Sequence, residues 1–405
     1  TTGGDNVAIG HNALDANTTA SNNTAVGKAA LTANTTGATN TVVGSLAMST
    51  NTTGDQNTVS GHQALKSNTT GSANVVMGLN TMYYNTTGSS NVALGRDALQ
   101  SNTTASNNTA VGTGALFANT TGIDNVAMGS GAGTALTTGS NNTAIGRVAL
   151  ATATTSSNNT AVGLSALRFT TTGGSNTAVG HSALTATTTG ANNVALGVDA
   201  GVAITTGNHN VCVGYRTGQH TVNLATGDNN TLIGNYADTT ATDTDNAIVI
   251  GFDVNGAGGY TTLGNATNDI RAAHGNVTWA TVSDERYKKD IADSTTGLSF
   301  INALQPRTFK YKTLGELPET FNAYKADSTE VFKNSDTNHG FIAQEVKAAI
   351  DADSGLKDGF RLWDDRDDGS QEVAEAALIP VLTKAIQELS TQLDAALARI
   401  TTLEG

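Results

Sequence analysis

The sequence predicts a mainly β chain: a β-solenoid shaft of 17-residue period, a β-rich neck, then an α+β unit ending in a coiled-coil helix. Three observations carry this. An Asn-led phrase recurs at fixed spacing through the first half of the chain. Charge content steps up near residue 280, and the C-terminal stretch spaces its aliphatics as heptads.

The phrase runs Asn6-Val-Ala-Ile-Gly10, Asn23-Thr-Ala-Val-Gly27, Asn40-Thr-Val-Val-Gly44 and onward, thirteen copies to Asn210, all on the same 17-residue step. A fixed short period is the mark of a solenoid, whose coils bury each other's faces. Each copy continues with two variable residues, Ala, Leu, and a polar turn, often Asn-Thr-Thr-Gly. A 17-residue unit is too short for a helical hairpin. It suits one β-coil of two short strands and two turns. The β-branched pentapeptide is a strand, ended by a Gly that permits backbone shapes closed to other residues. The fourth-position aliphatic and the ninth-position Leu (Leu14, Leu31, Leu65) are expected to meet inside the coil.

Asn17, Asn34, Asn51, Asn68, Asn85, Asn102 and Asn119 open Asn-Thr-Thr and match the glycosylation acceptor pattern. The plainer account is preferred: Asn and Thr bond nearby backbone in turns, and in a solenoid they stack into ladders. The shaft is assigned to residues 1–218. After Asn210 the next phrases open at Asn230 and Asn246, so the fixed step is lost. Residues 219–282 are therefore read as a β-rich neck, with strands interwoven from three chains into a triple-stranded shaft as one geometry.

Residues 1–280 hold no Glu, 12 Asp and 7 Lys+Arg, whereas 281–405 hold 22 Asp+Glu and 14 Lys+Arg. Such a step separates two unlike objects. The shaft's acids fall at different repeat positions (Asp5, Asp15, Asp55, Asp97), so no metal-ligand set recurs. The lone Cys212 rules out an internal disulfide and a cysteine-based zinc cluster. No cofactor or metal is expected. A net charge of −13 argues against nucleic acid. No apolar run reaches the ~18 residues of a membrane span, so no membrane insertion is expected. The chain starts at Thr1 rather than Met, as a trimmed fragment would.

The junction reads Ser283-Asp-Glu-Arg-Tyr-Lys-Lys-Asp-Ile291, and further on stands His339-Gly-Phe-Ile-Ala-Gln-Glu345. Alone, the first string is a plausible helix cap, with acids in the first turn. Together, and in this order after a fibre repeat, the two resemble the signatures of the peptidase S74 family. That family is the intramolecular chaperone at the C-terminus of phage tailspikes and fibres. The resemblance extends over residues 283–390 and includes a helix with Leu378, Ile379, Leu382, Ile386 and Leu389. It implies a homotrimer whose chaperone guides folding of the β-shaft and then cuts itself away, in a single turnover with no activity on other substrates.

Carried over, Ser283 is the cleavage site and the reactive hydroxyl, and Lys288 its general base. A Ser hydroxyl needs a neighbouring base to act as a nucleophile. A lysine fills that role where burial or nearby cations lower its pKa; Arg286 and Lys289 are candidates to help. The resemblance puts the scissile bond at Ser283–Asp284. Stereochemistry favours attack on the carbonyl before Ser283, and a direct part for Asp284 or Glu285 stays open. His339, Gln344 and Glu345 are supporting candidates. Trp363 is read as core or a loop anchor.

The pentapeptide also resembles the head repeats of trimeric autotransporter adhesins. By that resemblance, the small third-position residues (Ala8, Ala25, Ala110) would suit close packing between chains. At the C-terminus Ile379, Leu382, Ile386, Leu389, Leu393, Ala396, Ile400 and Leu403 are spaced 3,4,3,4,3,4,3, an a/d seam. The chaperone unit is therefore bounded at 283–378 and the coiled coil at 379–405. Pro380 sits where a helix start tolerates it.

The function this supports is a trimeric tail fibre of the virion that binds a host cell-surface receptor, a glycan or a surface protein. The alternative is a bacterial surface adhesin that uses the same self-cleaving chaperone. A glycan depolymerase is the weakest reading, because such enzymes generally need a carboxylate pair and the whole repeat region lacks Glu.

Overall fold

The computed structural model describes residues 2–266, 268–275, 285, 288–353, 356, 362–365 and 370–404. The chain divides into two compact units, Thr1–Ser283 and Asp284–Gly405.

The first unit is a β-solenoid of 17-residue period. Strands β1 (Val7–Ile9), β2 (Thr24–Val26), β3 (Thr41–Val43) and their successors to β13 (Val211–Val213) recur once per coil. Each pairs in parallel with the next, one coil on: Val7 with Thr24, Ile9 with Val26, Val26 with Val43. The ladder does not stop where the spacing breaks. It continues through β14 (Thr231–Ile233) and β16 (Ile248–Phe252) to β18 (Tyr260–Asn265), where β19 (Asn268–Ala273) folds back antiparallel. The extra residues at the break form a loop on one coil. A buried Asp238 carboxylate anchors it, accepting the backbone N–H groups of His220, Thr221 and Val222 at 2.8, 2.8 and 2.9 Å.

Two columns of buried Asn hold the coils in register. In the first, the Asn opening each coil saturates its side chain. Asn125 Nδ2 donates to Asn108 Oδ1 at 3.2 Å and to Gly139 O at 2.9 Å. Its Oδ1 accepts the backbone N–H of Asn142 at 3.0 Å and Asn142 Nδ2 at 3.1 Å. An amide offers two donors and an acceptor with two lone pairs, so one Asn per coil meets four partners. The second column contains the Asn-Thr-Thr residues: Asn51 Nδ2 donates to Asn34 Oδ1 at 2.8 Å and to Gly54 O at 2.9 Å. From Asn34 to Asn119 these side chains are wholly buried and committed to the ladder, which leaves no free amide for a glycan.

From the first coil to β13 only one short strand per coil forms, not the two expected; a second appears in the last coils, where β15 (Asp238–Thr239) pairs in parallel with β17 (Asn255–Gly256). The backbone gives the reason. Positions 7, 9 and 17 of a coil are left-handed, as at Ala29 (φ 54°), Leu31 (φ 54°) and Thr39 (φ 56°). Such a residue costs about 1–2 kcal/mol when it carries a side chain, and it turns the chain where a second strand would run straight. At position 5 the Gly is indispensable: Gly27 has φ 136°, and a Cβ there would lie 2.6 Å from the Gly44 carbonyl oxygen of the next coil.

The side-chain assignment also differs from expectation. The third-position residue points inward: Ala25, Val42, Ala110 and Cys212 are fully buried. It packs with the Ala and Leu of positions 8 and 9 in one continuous core. The fourth-position aliphatic points outward, with Ile9 60% and Met77 56% exposed. Strand side chains alternate faces, so one position inside puts its neighbours outside. The inward-pointing left-handed Leu leaves a thin interior, and a small residue completes it. The Ala column is therefore core, not a contact between chains.

The core conserves volume between positions 9 and 12. Most coils pair Leu or Met at position 9 with Asn, Ala or Thr at position 12. Where position 9 is Gly133 or Gly201, position 12 is Leu136 or Ile204, and both are fully buried. The exchange interrupts the second Asn column, and Asn119 Oδ1 is left unpaired because Leu136 cannot donate to it. Gly133→Leu alone should lower the apparent thermal midpoint, since its Cβ would meet Leu116 Cδ2 at 2.9 Å. Leu136→Asn alone should also lower it, by emptying the core, at about 2–5 kcal/mol. The double substitution recreates the neighbouring coils' pattern and supplies a donor for Asn119, so it should recover most of the loss. Simple additivity of the two in a thermal melt would contradict this coupling.

The second unit is α+β. Its helices are α1 (Leu298–Ala303), α2 (Ala343–Ala352) and the long α3 (Leu378–Glu404). Two small antiparallel pairs accompany them, β20 (Arg307–Phe309) with β21 (Asn338–Gly340) and β22 (Trp363–Asp365) with β23 (Gln371–Val373). The core gathers Phe300, Val346, Ile350, Leu362, Leu378 and Val381. Glu388 of α3 accepts the Leu298 N–H at 2.8 Å, capping α1 and fixing it to the long helix.

Candidate functional site

Two stretches of the second unit carry the residues singled out from sequence. At its start, Lys288 N donates to Glu285 O at 2.9 Å, and both side chains are exposed in the single chain. Ser283, Asp284 and Arg286 lie outside the described residues.

The second stretch is organised by a strand pair and the helix after it. His339 sits opposite Thr308 in the pairing of β21 with β20, and its side chain is exposed. The chain passes through Phe341 and Ile342 into α2, whose Val346, Ala349 and Ile350 face the core. The 3.6-residue period puts Gln344 outside and Glu345 at the boundary. Glu345 then meets a residue that the sequence reading did not single out. Arg307 of β20 forks onto it, Nε to Oε2 at 2.9 Å and Nη2 to Oε1 at 2.6 Å. A bidentate guanidinium–carboxylate pair fixes direction as well as distance. It ties the first turn of α2 to the strand that pairs with His339. Arg307 also bonds Gln305 Oε1 at 2.5 Å. The available signal was an Arg set in a strand-like Arg-Thr-Phe run, with nothing local to pair with it.

Hydrogen bonding from Arg307 holds the Glu345 carboxyl below its ordinary range, and Glu345 raises the Arg307 guanidinium in turn. Glu345 therefore adds stability that is present above its unfolded pKa and is lost as pH falls through its folded pKa. Arg307→Ala should return the Glu345 carboxyl carbon titration to the ordinary glutamate range. An unchanged titration would mean that the pair does not form in solution.

Trp363 of β22 is partly buried against the core of this unit. Its ring lies 5.1 Å below Lys347 Nζ, and its Nε1 donates to Gln371 Oε1 at 3.4 Å. Lys347 in turn pairs with Asp351 along α2. Helix α3 presents two apolar faces. Leu378, Val381 and Ala385 are buried against the unit, whereas Ile379, Ile386, Leu393 and Leu403 are 63, 65, 60 and 84% exposed in the single chain.

No curated protein and no solved structure matches this chain. Residues 283–354 match a family model, Peptidase_S74, described as the chaperone of endosialidase. The match begins at Ser283, where the β-solenoid unit ends, and takes in β20, β21 and α2 with the Arg307–Glu345 pair. The chain is thus a β-solenoid of 17-residue period, consistent with a tail-fibre-like shaft, followed by a segment that matches the chaperone-of-endosialidase (Peptidase_S74) family model.

Proposed function

We propose that this chain is a homotrimeric tail fibre of a virion, whose C-terminal segment drives trimerisation and shaft folding and then cuts itself off at Ser283. The observation that carries the reading is the order of parts: a stacked β-shaft, a peptidase S74 match starting at Ser283, and a long helix with an exposed heptad seam. In this reading the shaft attaches to a host surface receptor.

The parts answer a physical problem. Parallel coils pair each strand with its equivalent one coil on, but three such chains must also find one another, and non-local pairing is slow. A helix whose Ile386, Leu393 and Ile400 face outward supplies local association first. Cleavage then removes the template. A shaft without it has no route back once unfolded, so its persistence is set by an unfolding rate.

In the cut, Ser283 Oγ adds to a neighbouring carbonyl carbon while Lys288 Nζ takes the hydroxyl proton. The C–N bond breaks, the amine leaves protonated, and water then releases the acyl group, so one water is consumed overall. Lys288 is exposed in the single chain, whereas a lysine amine left unprotonated near neutral pH, as a general base must be, needs burial or neighbouring cations. Assembly that covers Lys288 would therefore make cutting follow trimerisation.

Sedimentation should give a trimer. Mass spectrometry of freshly folded protein should find a break at Ser283, within one bond either side. Ser283→Ala and Lys288→Ala should each leave an intact trimer, and the double substitution should be no worse than either one, as for groups acting as a unit. Unchanged fragments from Ser283→Ala would remove the serine as nucleophile and pass the role to Asp284 or Glu285.

A further inference from the structure

We infer that the outward face of the strand column, the second- and fourth-position side chains from β1 to β16, is the surface along which three copies of this chain pack. The inference rests on the trimer proposed above and adds which face of the shaft turns inward.

Large aliphatics stand out from this face coil after coil: Ile9 60%, Val43 42%, Met77 56%, Ile145 37%, Leu196 51% and Ile250 40% exposed. A single exposed Leu needs no explanation, but a column in register does. Neighbouring strands lie ~4.8 Å apart, so the stripe is roughly 70 Å long, and two side chains wide gives it an area on the order of 700 Å². A typical monomer's largest apolar patch is about 300–600 Å². A stable interface takes about 800 Å² from each partner.

The chemistry of the stripe is selective. Every second- and fourth-position residue of these strands is Val, Ile, Leu, Met, Thr or Ser. None is charged, although Asp, Lys and Arg occupy other positions of the same coils. A strand face meant for water usually carries charges that discourage association, and this one carries none over its whole length.

The period identifies the occupant. The stripe shares the 17-residue period of the coils, so a surface that meets it coil by coil must repeat at the same interval. A parallel copy of this chain does so by construction. The second unit independently carries an apolar stripe along α3, which parallel association also satisfies.

Site-directed cross-linking of the full chain tests this. The native Cys212 does not interfere: it is fully buried, and burial, with Asp238 nearby, pushes its thiol up to about 12. A new cysteine is then the reactive one. Ile145→Cys lies on the stripe; Thr155→Cys, exposed in the same coil, lies off the strand and serves as the control. Dilute protein is mildly oxidised and separated under denaturing, non-reducing conditions. Ile145→Cys should give covalent dimers containing roughly two chains of every three, the limit for single cysteines around a three-fold axis, and Thr155→Cys should give almost none. A trimer by sedimentation that cross-links through Thr155→Cys and not Ile145→Cys, or through neither, overturns the assignment of this face while leaving the trimer intact. A monomer by sedimentation removes both. Ile145→Asp supplies a second reading: it should weaken the trimer where Thr155→Asp does not, and equal association of the two variants would contradict the inference.

Discussion

The shaft depends on one interaction: a buried Asn amide that bonds the Asn above it, the Asn below it and a carbonyl closing its own coil. Asn142 repeats the pattern set by Asn125, with bonds to Asn125 Oδ1 and to Ser156 O. No other side chain substitutes easily. Asp lacks the donors, Ser is too short to bridge the coils, and Gln is one methylene too long for the same geometry. An unsatisfied buried polar group costs about 1–3 kcal/mol, so a lost rung is felt on both sides. The ladder thereby accounts for the constancy of the period. It also offsets the strain of three left-handed residues in a coil such as Ala29, Leu31 and Thr39.

Inside and outside follow from that framework. With the Asn column and the left-handed Leu filling the interior, the strand can contribute one small inward side chain, and its large aliphatics are turned out. The volume exchange between Gly133 and Leu136 shows how little room the interior has to spare. An apolar outer face is then built into every coil, which connects the internal packing of the chain to its association with others.

The period, the stacking and the step near residue 280 were all legible in the sequence, because each is a repetition or a composition change. The inward face was not. Alternation says that positions 2 and 4 share a face, but not which face is core, and the usual preference for large aliphatics inside pointed the wrong way. A usable sign was present. The third position stays small in most coils, whereas the fourth ranges from Ser60 to Met77, a variation that a thin close-packed core would not accept. The single strand in each regular coil was also hidden, since left-handed Leu residues have no sequence signature. In the second unit the two motifs were visible as strings. Arg307 was not, because its partner Glu345 stands far along the chain.

The most direct test of the ladder compares two Asn→Asp substitutions in the full chain. Asn125 is a buried rung and Asn158 an exposed left-handed turn residue. The change is nearly isosteric at both sites and tolerates the left-handed backbone, so only the lost donors and the buried charge differ. Asn125→Asp should lower the shaft's apparent unfolding midpoint well below that of the parent chain, and Asn158→Asp should leave it close to the parent value. Equal midpoints for the two variants would contradict the claim that the Asn column holds the coils together.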